Sequence, residues 1–211
     1  LIGTDTWASS ANGTHALAEN YVYTVEAFKD YYKHLEDEGI LHMGKWFFER
    51  PRETLRLCAI GVTALEELGV EEPERNIVVI IDRETFGACF LLKKGAFTTD
   101  EIDRIKKHAY KLRYEVIYYP FTKNQNKFVQ LITSSKQKRE RFYKDYFFNV
   151  RPSTDNCPFF FDFYKWKNMF KVWQGEGGYE PSEYPFTYLT LSVMLVLVIA
   201  MILTFILYPL Y

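Results

Sequence analysis

The sequence predicts an α/β protein: a Rossmann-like, mostly parallel sheet over residues 1–149, a linker over 150–183, and a transmembrane helix over 184–211. Three observations carry this expectation. Short apolar runs alternate with segments whose apolar residues recur at helical spacing. Capping residues and glycines punctuate those segments at their ends. Finally, no charged residue occurs between Tyr184 and Tyr211.

Taken in order, residues 1–4 are a short apolar run that reads as a buried strand with Asp5 at its tip, and 5–16 are small and polar, hence a loop. Thr24 can cap a helix carrying Glu26 in its first turn, with Val25, Phe28, Tyr32 and Leu35 on one face and Gly39 as its stop. Residues 40–48 form a nearly continuous apolar run, the mark of a strand covered on both faces. Pro51 opens the next helix, with a stripe of Leu55, Cys58, Val62 and Leu65 and a stop at Gly69. Residues 76–81 read as a strand, and 88–92 as its hairpin or sheet partner. The run Thr98-Thr99-Asp100-Glu101 is a capping box that opens a helix buried along Ile102, Ile105, Ala109 and Leu112. Residues 114–119 are a further strand. A helix is expected over 136–149, with Lys136, Lys138, Arg139, Arg141 and Lys144 as a solvated face. Alternation of this kind places ligands at the carboxyl ends of parallel strands.

The totals narrow the function. In 211 residues the net charge is −1, which gives no reason to expect a nucleic-acid partner. The 3 cysteines are odd in number and far apart, and the 4 histidines lack ligand spacing, so neither a disulfide framework nor a metal site is expected. The uncharged tail exceeds the ~20 residues that cross a bilayer and is flanked by Tyr184, Tyr188, Tyr208 and Tyr211, as an aromatic belt would be. Lys165, Lys167 and Lys171 on its amino side put the preceding domain on the cytoplasmic side. The chain opens at Leu1 on what reads as a strand end, so it is expected to be a piece of a longer protein, with further membrane spans in the whole.

Three stretches then carry a resemblance: "TDTWASS", "LAENYVYTVEAFKDYYKHL" and "EDEGILHMGKW". They resemble the spermidine synthase family, which has the S-adenosylmethionine-dependent methyltransferase fold. That family carries an acidic D-x-x-D-P motif after its fourth strand, a loop close to A-E-N-L-F, a helix and a K-P-G-G strand entry. With "TDNCPFFFDFYKW", the chain is similar to a membrane-fused branch of that family, as its carboxyl-terminal half. The resemblance implies aminopropyl transfer from decarboxylated S-adenosylmethionine to a small cationic amine, with S-adenosylmethionine as donor in the methyltransferase alternative. It implies Asp5 as base or amine anchor, Glu19 as a second acid, and Trp7, Asn20, Tyr21 and Tyr23 around the cleft. The last stretch has two readings: Asp155 and Asp162 as further acids near the cleft, or, favoured over it, Phe159, Phe160, Phe161 and Phe163 docking the linker onto the domain or the membrane interface. Two departures stand against the pattern. Ala8 occupies the place of the second acid, and the glycine-rich loop that cradles the donor has no counterpart here, so donor-binding residues stay unassigned and the piece alone is expected to be inactive. Two other readings stay open: a methyltransferase, or a non-catalytic domain that binds a nucleoside or polyamine and regulates an attached membrane unit.

Overall fold

The structure, a computed structural model, describes residues 18–168 and 186–207. Residues 18–163 belong to one compact unit, and 164–168 with 186–207 to a second.

In the first unit, Asn20 caps a 3-10 turn (Tyr21–Tyr23), and Thr24 caps helix α1 (Val25–His34), its hydroxyl accepting from the Ala27 N–H at 3.2 Å. The expected stop at Gly39 works differently. Leu35 already leaves the helix, and Gly39 closes a tight turn, its N–H donating to the Glu36 carbonyl at 2.8 Å. Strand β1 (Ile40–Trp46) follows, then helix α2 (Glu53–Glu67), a 3-10 turn (Pro73–Asn76), strands β2 (Ile77–Asp82) and β3 (Gly87–Lys93), and helix α3 (Thr99–Lys111). Pro51 precedes α2 by two residues, and Arg52 holds the cap position. The capping box at Thr98 and Glu101 forms in both directions. Strand β4 (Glu115–Tyr118) and helices α4 (Lys127–Ile132) and α5 (Lys136–Asp145) complete the order. Helix α5 ends four residues before Asn149, and Arg139 on its charged face turns inward, paired with Glu66 and the Ser134 carbonyl.

The four strands lie in the order β1-β3-β2-β4, and each described pairing is antiparallel. This corrects the expectation of a mostly parallel sheet. A short loop joins β2 to β3, and such a connection forces an antiparallel pair. Asp82 fixes that loop, its carboxylate accepting from Thr85 Oγ at 2.6 Å and from the Glu84 N–H at 2.9 Å. The crossover through α2 does make β1 and β2 codirectional, since both oppose β3, but β3 is inserted between them. Apolar periodicity reports which face a residue occupies, not the direction of its neighbour.

Helices cover both faces of β2 and β3. On one face Val78, Phe97 and Ile102 form a buried cluster with Ile80, Leu91, Ile105 and Val116 packed against it, so α3 lies there. On the other, α2 approaches at Gly61, where an added Cβ would stand 2.9 Å from Phe90 Cζ and 3.3 Å from Leu92 Cδ1. Two covered faces explain why β2 reads as the unbroken apolar run Ile77-Val78-Val79-Ile80-Ile81. Helix α2 is buried nearly all round, well beyond its expected stripe, because α1, α4 and the sheet enclose it. A Gly61→Val variant should therefore lose about 1–3 kcal/mol of stability through overpacking, read as a lowered midpoint in urea unfolding.

At the far end of β3, Lys93 is wholly buried, its ammonium bonded to the Glu101 carboxylate at 2.8 and 2.9 Å and paired with Glu38. Burial opposes this charge, but the hydrogen bonds to Glu101 and Glu38 raise the Lys93 pKa above the ordinary lysine value. The same contact from Lys93, aided by the Thr98 N–H, holds Glu101 below the usual carboxylate range.

The second unit contains helix α6 (Phe186–Ile202), 17 residues long, which passes directly into a π-helical turn (Leu203–Leu207). Among the described residues no single helix is long and apolar enough to cross a membrane. The expected transmembrane helix over 184–211 is therefore not seen as one α-helix: the hydrogen-bond pattern changes at Leu203, and 184–185 and 208–211 lie outside the described residues.

Candidate functional site

The lead-in of residues 18–26 and the strap of residues 147–163 are joined by a set of short hydrogen bonds. The Asn20 N–H donates to the Pro158 carbonyl at 2.7 Å, the Val25 N–H to the Ser153 carbonyl at 2.9 Å, and Ser153 Oγ to the Tyr23 carbonyl at 2.5 Å. The Asp155 N–H completes the set, donating to Glu26 Oε2 at 3.0 Å.

The strap is itself organised by one side chain. Arg56, on α2 and 2% exposed, donates through Nη1 to the carbonyls of Phe159 (3.0 Å) and Phe160 (2.5 Å). Its Nη2 donates to those of Asn149 (2.7 Å) and Asp162 (3.0 Å), and the guanidinium lies 4.8 Å from the Phe163 ring centroid. Val150, Phe160 and Phe163 are buried, so residues 150–163, expected to begin a linker, pack as part of the first unit.

This junction gathers most of the expected site residues. Tyr21 donates its phenol proton to Glu19 Oε2 at 2.9 Å, and that hydrogen bond, with the Asp155 charge adding to it, raises the Tyr21 pKa. Asn20 accepts from the Val22 N–H with its side-chain oxygen at 3.3 Å and so fixes the turn. Tyr23 is buried, its ring 4.5 Å from that of Phe160 and 6.3 Å from that of Phe161. Asp155 is exposed beside the lead-in. Asp162 contributes its carbonyl to Arg56. Asp5 and Trp7 lie outside the described residues.

Sequence reasoning missed Lys45, at the carboxyl end of β1. Its Nζ stands 3.9 Å from the Tyr23 ring centroid, 4.8 Å from that of Phe161 and 5.2 Å from that of Phe160. No local signal reveals this, since the rings come from the two ends of the unit. Arg56, Glu26 and Ser153 were missed for the same reason.

Chemically, the junction offers carboxylates, a phenol and aromatic faces, a set that suits an organic cation. The Cys89 and Cys58 thiols are poorly suited to nucleophilic chemistry, since burial pushes Cys89 up to about 11 and Cys58 higher still. Among the described residues no group of His, Cys, Asp and Glu can hold a metal ion. A separate concavity of about 290 Å³, lined by Thr99, Asp103, Lys106, Tyr119 and Phe121 among others, contains none of the expected site residues. No family model, curated protein or solved structure matches the chain.

Proposed function

We propose that the chain is the carboxyl-terminal part of a spermidine synthase-like, membrane-anchored transferase that moves an aminopropyl group from an adenosyl-sulfonium donor to a small cationic amine. One observation carries the reading: two of the four stretches that bear the resemblance are hydrogen-bonded to each other, Asn20 to Pro158 and Asp155 to Glu26, beside the carboxyl end of β1. That is the end at which open α/β sheets take their ligands.

The sheet is compatible with the trailing edge of a doubly wound fold. Strands β1 and β2 are codirectional with a helical crossover between them, while β3 and β4 run opposite to both; doubly wound sheets commonly carry an antiparallel strand near one edge, and here two are present. The Gly39 carbonyl accepts from the Lys94 N–H, and the Phe47 N–H donates to the Phe86 carbonyl, so odd-numbered backbone groups of β1 face β3. By alternation, those of Ile40, His42, Gly44 and Trp46 point away from it, toward the side where a preceding strand would run.

In aminopropyl transfer an unprotonated nitrogen attacks the carbon next to the sulfonium. A carbon–nitrogen bond forms, the carbon–sulfur bond breaks with its electron pair going to sulfur, and a carboxylate accepts the proton lost from nitrogen. Glu19, Glu26 and Asp155 are described acids at the junction, and Asp5 is the base that the resemblance suggests. Since the described residues provide no glycine-rich cradle, no donor contact is assigned to them.

Membrane anchoring rests on the apolar run. Each residue from 190 to 206 is exposed, on all sides of the helix, and none is charged. Taken together, α6 and its π turn extend about 30 Å, the thickness of a bilayer's hydrocarbon core. A π turn keeps its backbone groups bonded internally, as lipid requires.

The test uses the full-length protein in detergent, supplied with putrescine and decarboxylated S-adenosylmethionine. Release of methylthioadenosine with formation of spermidine is the expected result. Turnover with S-adenosylmethionine alone would convert the reading to methyl transfer, and turnover with neither donor would remove the enzyme.

A further inference from the structure

Lys45 occupies an unusual position. Tyr23 and Phe160 are buried, Phe161 is partly so, and Phe161 stands near perpendicular to both, at 87° to Tyr23 and 86° to Phe160. Three rings in two near-perpendicular orientations make the corner of a box, and the only cation these rings share among the described residues is the Lys45 ammonium. Aromatic boxes of this kind recognise alkylammonium ligands, because each ring face presents negative quadrupole density to the charge.

From this geometry we infer that Tyr23, Phe160 and Phe161 form an ammonium-binding site which Lys45 fills in the free protein, and from which an alkylammonium ligand displaces it. The lysine is suited to such a role. Its four-carbon stem is flexible, it sits at the end of β1, and it is only partly buried. A tethered ammonium competes at an effective concentration in the mM range, so the box discriminates against weak cations and yields to tighter ones. Acids at the same junction, Glu19, Glu26 and Asp155, favour a ligand with a second positive charge. The site names the amine-binding element of the reading above and rests on it for the identity of the amine, but not for its existence as an ammonium site.

Two measurements on the intact chain in detergent test the inference, and neither needs a donor or turnover. In the first, the ε-methylene protons of Lys45 are followed by NMR during titration with putrescine and with tetramethylammonium. Ring currents shift these protons upfield in the free protein, and saturating ligand returns them toward ordinary lysine values. If they stay in place up to tens of mM of either cation, the inference is overturned. In the second, Lys45→Ala binds tetramethylammonium about tenfold more tightly than the native chain, as expected when a tethered competitor is removed. The neutral analogue 3,3-dimethylbutanol gains nothing, and Lys45→Arg stays near the native affinity. A folded Lys45→Ala protein with unchanged affinity, or an equal gain for the neutral analogue, overturns it. Failure of turnover with binding intact sinks only the transfer reading. Turnover with an unmoved Lys45 sinks only the box.

Discussion

Replacing Arg56 by methionine should release the strap and cost about 3–5 kcal/mol, a lowering of the thermal midpoint by about 10 °C for a unit of this size. The reason is the accounting of buried polar groups. Carbonyls of Asn149, Phe159, Phe160 and Asp162 converge on one guanidinium, and methionine matches its volume but donates to none of them. Lysine in its place keeps the charge but loses the planar fork, so Arg56→Lys should recover only part of the loss. Amide exchange gives the discriminating readout. Protection of the Asn20 and Val25 N–H groups, which bond to strap carbonyls, should fall before that of the sheet. If their protection and the melting midpoint are both unchanged, the strap is held by its phenylalanines alone.

The second large effect is expected at Glu101. Changing it to glutamine keeps a side chain that can accept from the Thr98 N–H and so preserves the capping box, but it leaves the buried Lys93 with one carboxylate, Glu38, which is 70% exposed. A loss of about 3 kcal/mol is expected, the cost of leaving a buried charge poorly compensated. The pH dependence follows from the two pKa directions. Glu101 is held below its ordinary value, so its contribution is complete above the unfolded carboxylate pKa and is lost as pH falls through the folded one. Lys93 is raised, so its contribution is complete below the unfolded lysine pKa and is lost as pH climbs through the folded one. Native stability should show a plateau between those limits, and in Glu101→Gln the acid-side fall should shrink. A variant that melts and titrates like the native chain would show that Glu38 alone suffices.

What the sequence made legible divides along a physical line. The capping box at Thr98, the cap at Thr24 and the stripe Leu55, Cys58, Val62 and Leu65 are local patterns, and each formed. Leu112 failed: it lies past the end of α3 and is exposed, because a stripe ends where the helix does. The sequence leaves the direction of β3 open between a hairpin and another sheet partner, because antiparallel and parallel strands share one side-chain period; the hairpin is what formed. Buried Lys93, Arg56 and Arg139 were hidden because charge argues for the surface until a partner is known, and for Arg56 and Arg139 the decisive partners, Asn149 and Glu66, are distant in sequence. At the candidate site the identity of Glu19, Asn20, Tyr21 and Tyr23 as one group was readable, but their roles were not. Asn20 went to a turn and Tyr23 went inward, while Lys45, between them and the strap, had no neighbour in sequence to announce it.

The pairing of the strap with the lead-in also sets an order of events during synthesis. Residues 19–26 wait for partners that leave the ribosome only after the whole sheet has been made, so this closure is among the last steps of folding and bears the entropy of a long loop. Close behind the strap comes the greasy stretch that begins at Phe186. A delay in that closure leaves the phenylalanine-rich backbone of residues 158–163 uncovered while the rest of the chain is still being made.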